Sequence, residues 1–251
     1  MKTTILFLIF LFFSIFVVAQ EVSTSVETPE LTRTNIVKFL PINLYFNDIS
    51  FEYEHKYSQH NSFFVGLGIP SNKPFASKVF GSGTTDTNDM LGIMSIMGAW
   101  RHYMRHHLKP VGLYVSPYFK YQRFSMHVTE NKNIGTPMYY NEIIKADGST
   151  VNAGLQFGTQ FLIAKRVCID LYLSGVEIGL ANLTGVMTTT TTTDPTVMTK
   201  IKKNVDDFVS GLPPFMGNKF AVAQSSNQIN IKASSVPYPW YRMGISIGFA
   251  F

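Results

Sequence analysis

The sequence contains little cysteine and little charge. A single cysteine, Cys168, stands among 251 residues, so no internal disulfide can form and a small disulfide-stapled secreted fold is excluded. Charged residues make up only 15% of the chain, against about 25% in an average soluble domain. The formal net charge is +5, but no Lys/Arg block is long enough to predict nucleic acid as a partner.

Long apolar runs are also scarce, and the chain has one, at its start. The run Ile5–Val18 is almost uninterrupted, follows the positive charge of Lys2 and ends at the small residue Ala19. This layout is typical of a secretory signal peptide, which we predict over residues 1–19. A membrane anchor helix, the alternative, needs about 20 apolar residues. We expect residues 20–32 to form a flexible N-terminal segment.

The remaining sequence alternates between apolar and polar residues with a period of two. Between Tyr241 and Phe251 every odd position is apolar or aromatic and every even position is small or polar, which predicts a strand with two different faces. A loss of phase near Pro41 predicts a bulge or bend in the first strand. Eight such segments predict an all-β fold, an eight-stranded antiparallel up-and-down transmembrane β-barrel. The segments cover approximately residues 34–46, 49–57, 63–69, 94–103, 111–122, 151–163, 167–174 and 241–251.

The predicted connections alternate between short and long, as in a barrel that is threaded through a membrane; the one exception is the Asn47-Asp48 turn, which is short on the long side. Long loops are expected at about 71–90, 125–149 and 180–239 within a barrel that covers residues 33–251. Because a long loop without secondary structure is unusual, we expect strands to continue above the membrane at the last one, with a hairpin or a short helix that caps the mouth of the barrel. A ten-stranded barrel, with that hairpin in the wall, is the alternative architecture.

The apolar face of the predicted strands is expected to contact lipid. A closed antiparallel barrel satisfies every backbone polar group without leaving an edge, and aromatic residues at both ends of this face are typical of interfacial girdles. The alternative is a secreted soluble β-barrel that binds a ligand, with the same aromatics in its core. The expected girdles comprise Tyr57, Phe63, Phe161, Phe249 and Phe251 near the short turns, and Phe119, Tyr121 and Tyr241 near the long loops.

Several short segments carry a family resemblance. They are the leader ending in Val-Val-Ala-Gln, Asn35-Ile-Val-Lys, Ile49-Ser-Phe-Glu-Tyr-Glu, Arg101-His-Tyr, Gly112-Leu-Tyr-Val-Ser-Pro-Tyr and Gly244-Ile-Ser-Ile-Gly-Phe-Ala-Phe. Through them the chain resembles the DUF3575-type outer membrane β-barrel proteins of Bacteroidetes. The resemblance implies the bacterial outer membrane as the location, its lipid as a partner, and the outer-membrane insertion machinery as a partner during biogenesis. It implies no catalytic residues.

The polar face of the strands is expected to line the lumen. Eight strands enclose a space that side chains fill, and an isolated buried charge costs several kcal/mol. We therefore predict a structural polar network, in which Glu52 and Glu54 pair with some of the lumen cations. Binding of a small solute, or a narrow gated pore, is the alternative interpretation of the same residues. The predicted network comprises Glu52, Glu54, Lys56, Arg101, Lys120, Asp170 and Arg242.

No residue pattern predicts catalysis, a cofactor or a metal site. Glu52 and Glu54 lie two apart on one strand face, but no nucleophile or substrate cleft accompanies them, and Cys168 is expected to be inert. We expect a structural, surface-contact or adhesion role at the cell surface, not an enzyme, and the sequence identifies no surface ligand. The histidines near a short turn lack cysteine or carboxylate at ligand spacing; they are His102, His106 and His107.

Overall fold

Strands dominate the computed structural model of the chain. The structure describes residues 33–46, 48–71, 90–104, 109–133, 139–189, 195–225 and 227–251. The predicted signal peptide, the predicted flexible segment 20–32 and most of the predicted loop 71–90 lie outside these residues. No helix in the described part is both long enough and apolar enough to cross a membrane.

The described elements follow one another in the order of the chain. The first half contains β1 (Asn35–Phe39), a 3-10 helix (Pro41–Phe46), β2 (Asp48–Lys56), β3 (Asn61–Pro70), β4 (Met90–Tyr103) and β5 (Gly112–Asn133). The second half contains β6 (Tyr139–Ile163), β7 (Val167–Thr189), α1 (Pro195–Ser210), α2 (Pro214–Gly217), β8 (Phe220–Gln224) and β9 (Gln228–Ala250).

Eight strands close into a ring, which confirms the predicted all-β, antiparallel, up-and-down barrel. Strands β1 to β7 pair in sequence, β7 pairs with β9, and β9 returns to β1 through the pairs Ile36↔Ala250 to Phe39↔Ile247. Strand β8 pairs with the first residues of β9, from Gln224↔Ile229 to Phe220↔Ala233, so this hairpin extends the wall. Because the ring contains eight strands, the ten-stranded alternative is wrong.

The first strand is shorter than predicted. Strand β1 ends at Phe39, and the predicted bend near Pro41 is a 3-10 helix, which packs against β2 and β9. Within the described residues, the stretch 234–246 of β9 therefore has a registered strand partner on its β7 side only. Pro237 and Pro239 lie in this stretch, where proline is tolerated because an edge position requires no N–H donor.

Two of the predicted loops contain long stretches of strand. Strand β5 runs to Asn133 and β6 begins at Tyr139, so the predicted loop 125–149 is wrong over most of its length. Strand β7 continues to Thr189 and β9 begins at Gln228, so the predicted loop 180–239 contains two strand ends, β8 and both helices. Strands continue into this loop as expected, and both alternatives expected above them, a hairpin and a helix, are present. The wall is consequently much taller on the side of β5, β6, β7 and β9.

The barrel wall has two levels of opposite polarity. In the lower level, next to the short turns, most outward residues of β6 are apolar and exposed, whereas its inward residues include the buried, polar Asn152, Gln156 and Gln160. In the upper level the outward residues of β6 include Ser149, Asp147 and Lys145 besides the half-buried Ile143, and Ile144 and Ala146 face inward. The β5–β6 register is continuous through both levels, so the reversal comes from the sequence and not from a change in side-chain direction.

The upper level has an apolar interior of its own. Ile229 and Ala233 of β9 are buried, and Met198 of α1 is also buried. Helix α1 packs against β8 and β9. The extensions of the tall strands thus form a structured region that buries apolar side chains. The lower level beneath it has polar side chains in its lumen.

Candidate functional site in the barrel lumen

Four charged side chains meet in the lower lumen, close to the short turns. The two cations are Lys38 of β1 and Arg101 of β4, and the two carboxylates are Glu54 of β2 and Asp170 of β7. All four side chains are fully buried, and their formal charges balance. We refer to these four residues as the lower charge cluster.

Each cation of the lower charge cluster contacts both carboxylates. Lys38 Nζ lies 2.5 Å from Glu54 Oε2 and 2.8 Å from Asp170 Oδ2. Arg101 Nη1 lies 3.1 Å from Glu54 Oε2 and 2.7 Å from Asp170 Oδ2. Both cations also donate to Gln160 Oε1, at 2.5 and 2.9 Å. These contacts join five strands through the lumen. They are strong contacts, because charge-assisted hydrogen bonds are roughly twice as strong as neutral ones.

Neutral side chains complete the hydrogen bonding of both carboxylates. The hydroxyls of Ser62 and Tyr103 each donate to Glu54 Oε1 at 2.6 Å. The hydroxyl of Tyr114 donates to Asp170 Oδ1 at 2.7 Å. Every carboxylate oxygen of the lower charge cluster therefore has a donor, which is the condition under which buried charge is tolerated.

Aromatic rings hold the guanidinium of Arg101 from two sides. Its Cζ atom lies 4.4 Å from the ring centroid of Phe64 and 4.3 Å from that of Tyr114, within cation–π range. Its Nη2 atom lies 3.9 Å from Glu52 Oε2, too far for a hydrogen bond. The planar, permanently charged group is thereby fixed, and lysine could not reproduce its stacking.

A second layer of charge lies above the lower charge cluster. Arg242 Nη2 lies 2.8 Å from Glu52 Oε1, and Arg242 Nη1 donates to Gln156 Oε1 at 2.8 Å. Lys120 Nζ lies 3.3 Å from Glu177 Oε2, and Tyr118 donates to the same oxygen at 2.8 Å. Charged and aromatic side chains thus occupy the lumen at successive heights.

The structure places the predicted network residues in four separate settings. Glu54, Arg101 and Asp170 belong to the lower charge cluster, and Glu52 and Arg242 pair above it. Lys120 contacts Glu177 and neither of the two glutamates predicted as partners for the lumen cations. Lys56 lies apart: its Nζ donates to the carbonyl of Lys109 at 2.9 Å and lies 4.4 Å from the ring centroid of Tyr103.

Lys38 and Glu177 are network residues that the sequence interpretation missed, for different reasons. Lys38 alternates correctly with its neighbours on β1, but the loss of phase at Pro41 leaves the face of this short strand unassigned. Glu177 has the opposite parity to Asp170 on the same strand, yet both are fully buried. A register shift between Tyr172 and Gly175 adds one residue to β7, so the inward positions change from even to odd residue numbers. Period-two alternation in the sequence does not reveal such a shift.

Inward glycines make room for the lumen rings, and Gly158 is the clearest case. A Cβ atom at Gly158 would lie 2.4 Å from the Tyr114 hydroxyl oxygen and 2.8 Å from the Leu171 carbonyl oxygen. We expect Gly158→Ala to lower the free energy of unfolding by about 1–3 kcal/mol, because the ring that donates to Asp170 must move. Urea titration of the refolded protein in detergent micelles measures this loss.

Gly98 provides the matched control for this substitution. Nothing lies within 4 Å of a Cβ atom added at Gly98, which is exposed on β4. We expect Gly98→Ala to be neutral or stabilising, because alanine restricts the unfolded chain. If both variants unfold at the same urea concentration, the packing of Tyr114 over Gly158 contributes nothing to stability.

The remaining candidate residues show ordinary structural contacts. His102 Nδ1 lies 2.9 Å from Asn61 Oδ1, whereas His106 and His107 lie outside the described residues. Cys168 is buried against Ile36. Within the described ranges, no group of three or more His, Cys, Asp or Glu side chains is placed to hold a metal ion.

The lumen geometry connects opposite walls of the barrel and balances the buried charge. The lower charge cluster alone joins β1, β2, β4 and β7, and Gln160 adds β6, so its chemistry is that of a structural cross-link. Comparison of the chain with protein-family models, curated proteins and solved structures found no match.

Proposed function

We propose that the chain is an integral β-barrel protein of the bacterial outer membrane, of the DUF3575 type that its sequence resembles. The lower level crosses the membrane, and its lumen is closed by its own side chains. The upper level and its helices project from the cell surface and carry a structural, surface-contact or adhesion role. The observation that carries this proposal is the reversal of polarity along the outer face of the wall.

Rows of paired residues on the outer face locate the reversal. The last apolar row across β5, β6 and β7 consists of Tyr121, Val151 and Leu180. The next two rows consist of Arg123, Ser149 and Asn182, and of Ser125, Asp147 and Thr184. Val151 is 42% exposed and Leu180 is 50% exposed. A contiguous apolar surface of this kind is a liability in water, but it is the expected lipid-facing band of a membrane barrel.

The height of the apolar band fits a bilayer. Along β6 the band extends from Val151 to Ile163, which corresponds to about 40 Å of strand at roughly 3.3 Å per residue. A strand tilt of about 40° reduces this to a height of about 30 Å, the thickness of the hydrocarbon core of a typical bilayer. At the lower end the Trp100 indole donates to the Tyr57 hydroxyl at 2.8 Å, and such amphipathic rings favour the membrane interface.

Cell fractionation with heat-modifiable gel migration tests the proposal. We expect the protein in the outer membrane fraction, extractable only with detergent, and we expect unboiled samples to migrate differently from boiled ones because the closed barrel resists detergent. Removal of residues 1–19 should abolish export and leave the protein in the cytoplasm. Recovery of the exported protein in the detergent-free periplasmic fraction would favour the secreted soluble barrel instead.

Planar-bilayer recording separates a closed barrel from a narrow gated pore. We expect no stepwise conductance from the purified protein, because the lower charge cluster fills the lumen between the walls. A variant without residues 195–224, which removes α1, α2 and β8, should be equally silent. Stepwise current from the intact protein indicates an open pore, and current from the shortened variant alone indicates that this segment gates one.

A further inference from the structure

A cleft of about 330 Å³ lies on the wall at the upper edge of the apolar band. We propose that it binds the phosphate-bearing headgroup of an outer-leaflet glycolipid. This inference rests on the proposed function, because it requires the lower level to lie in the membrane. The lining residues on which it depends are Arg123, Asp147, Ser149, Asn182, Thr184 and Lys232.

The six polar side chains named above face outward, away from the lumen. Ser149 and Asp147 have the same parity on β6 as the exposed Val151, and the β5–β6 register has no break between them. Arg123 pairs with Ser149, and Asn182 pairs with Ser149 from the other side. The cleft therefore lies in the first polar rows above the band, at the height of the lipid headgroups.

The two cations of the cleft are available to an anionic ligand. Arg123 and Lys232 are both exposed, and in the described part of the chain neither side chain forms an ion pair or a side-chain hydrogen bond. Asp147 is the one carboxylate among the lining residues, so the cleft has a net positive charge. Arginine and lysine are the usual partners of phosphate, and arginine can donate two parallel hydrogen bonds to it.

The spacing of the cations suits a headgroup that is larger than a single phosphate. Arg123 lies on β5 and Lys232 on β9, three strand positions apart in the sheet, which corresponds to about 14 Å at roughly 4.8 Å per position. Neutral donors lie between them. Ser235 N–H donates to Asn182 Oδ1 at 3.0 Å, which orients the Asn182 amide so that its NH₂ group remains available to a ligand.

The surface directly below the cleft distinguishes a lipid from a soluble anion. The adjoining row contains Tyr121 and the exposed apolar side chains of Val151 and Leu180. A ligand whose phosphates bind the cations would place its acyl chains along this row. The combination of exposed cations above and apolar surface below fits an amphipathic glycolipid better than free phosphate.

Titration of the refolded protein in zwitterionic detergent micelles tests the inference. The probes are bisphosphorylated lipid A, lipid A stripped of both phosphates, and inorganic pyrophosphate, with binding followed by microscale thermophoresis. We expect bisphosphorylated lipid A to bind about tenfold more tightly, or more, than the dephosphorylated form, a difference of about 1.4 kcal/mol. Pyrophosphate should bind more weakly than bisphosphorylated lipid A, because it lacks the acyl chains.

Charge-removal variants locate the binding. We expect Arg123→Gln combined with Lys232→Gln to weaken bisphosphorylated lipid A about tenfold and to leave the dephosphorylated form unchanged. The control, Lys145→Gln combined with Lys203→Gln, removes the same charge from exposed positions outside the cleft and should retain wild-type affinity.

Three results would overturn the inference: equal affinity for both lipid forms, equal loss in both double variants, or pyrophosphate binding as tightly as bisphosphorylated lipid A. The wild-type comparison of the two lipid forms decides the first point without any variant. Heat-modifiable migration of each sample reports separately on the membrane barrel. A folded, membrane-inserted protein without lipid preference therefore contradicts the headgroup site alone, and a protein that remains soluble without detergent contradicts the proposed function.

Discussion

Replacing Arg101 by methionine will lower the free energy of unfolding of the barrel by about 3–5 kcal/mol, the usual effect of removing one partner of a buried ion pair. The arginine contacts Glu54 and Asp170 through one nitrogen and stacks between Phe64 and Tyr114. Without it, two buried carboxylates share the single positive charge of Lys38. Urea titration in phospholipid vesicles, followed by the fluorescence of the two tryptophans, measures the loss.

Two control variants separate the buried contacts of Arg101 from the loss of an arginine in general. Arg166→Met makes the same chemical change at an exposed side chain in the turn between β6 and β7, and it should change stability by less than about 0.5 kcal/mol. Arg101→Lys keeps the charge but loses the planar guanidinium and its stacking on the aromatic rings. Its loss of stability should therefore lie between those of Arg101→Met and Arg166→Met. Equal stability of Arg101→Met and Arg166→Met would show that the lower charge cluster does not hold the barrel together.

A double-mutant cycle assigns part of this loss to the Arg101–Asp170 contact. Asp170→Asn alone leaves Lys38 and Arg101 with one carboxylate, and it should also be strongly destabilising. The combination of Asp170→Asn with Arg101→Met restores charge balance, so it should cost less than the sum of the single changes. Additive effects would mean that the 2.7 Å contact contributes no coupling energy.

The sequence interpretation succeeded where strands cross the apolar band. There the outward residue is apolar and the inward residue is polar at almost every step, so alternation such as that from Tyr241 to Phe251 determines both the strand and its face. The same signal identified Glu52, Glu54, Arg101, Asp170 and Arg242 as inward residues. Their pairing partners depend on the distance across the lumen, which no local pattern contains.

The interpretation failed where the polarity reverses. Above the row of Val151, Ile144 and Ala146 face inward and Lys145 and Asp147 face outward. The apolar residues therefore change parity, and a strand defined by its apolar face ends there. The predicted loop 125–149 is the result. The alternation itself continues, but apolar and polar residues exchange faces while the register remains unbroken. This exchange marks the height at which we expect the outer face to pass from lipid to water.

The depth of an outward substitution will decide between a membrane barrel and a soluble one. Phe157 lies midway between Val151 and Ile163 on β6 and is 46% exposed. We expect Phe157→Arg to cost about 2–4 kcal/mol in phospholipid vesicles, because the charge would sit near the bilayer midplane, and Ser149→Arg in the first polar row to cost about 0–1 kcal/mol. Phe157→Leu keeps the position apolar and measures the loss of the ring alone.

Phe157→Arg should have opposite effects on a soluble barrel and on a membrane barrel. In water, replacing a half-exposed ring by arginine removes little burial and improves solubility, so a soluble barrel should tolerate the change at least as well as Phe157→Leu. In lipid the charged guanidinium of the same arginine loses water, which is unfavourable. Urea titration of the three variants from lipid A-free vesicles measures the difference, and a cost for Phe157→Arg no larger than that for Ser149→Arg would place the apolar band in water.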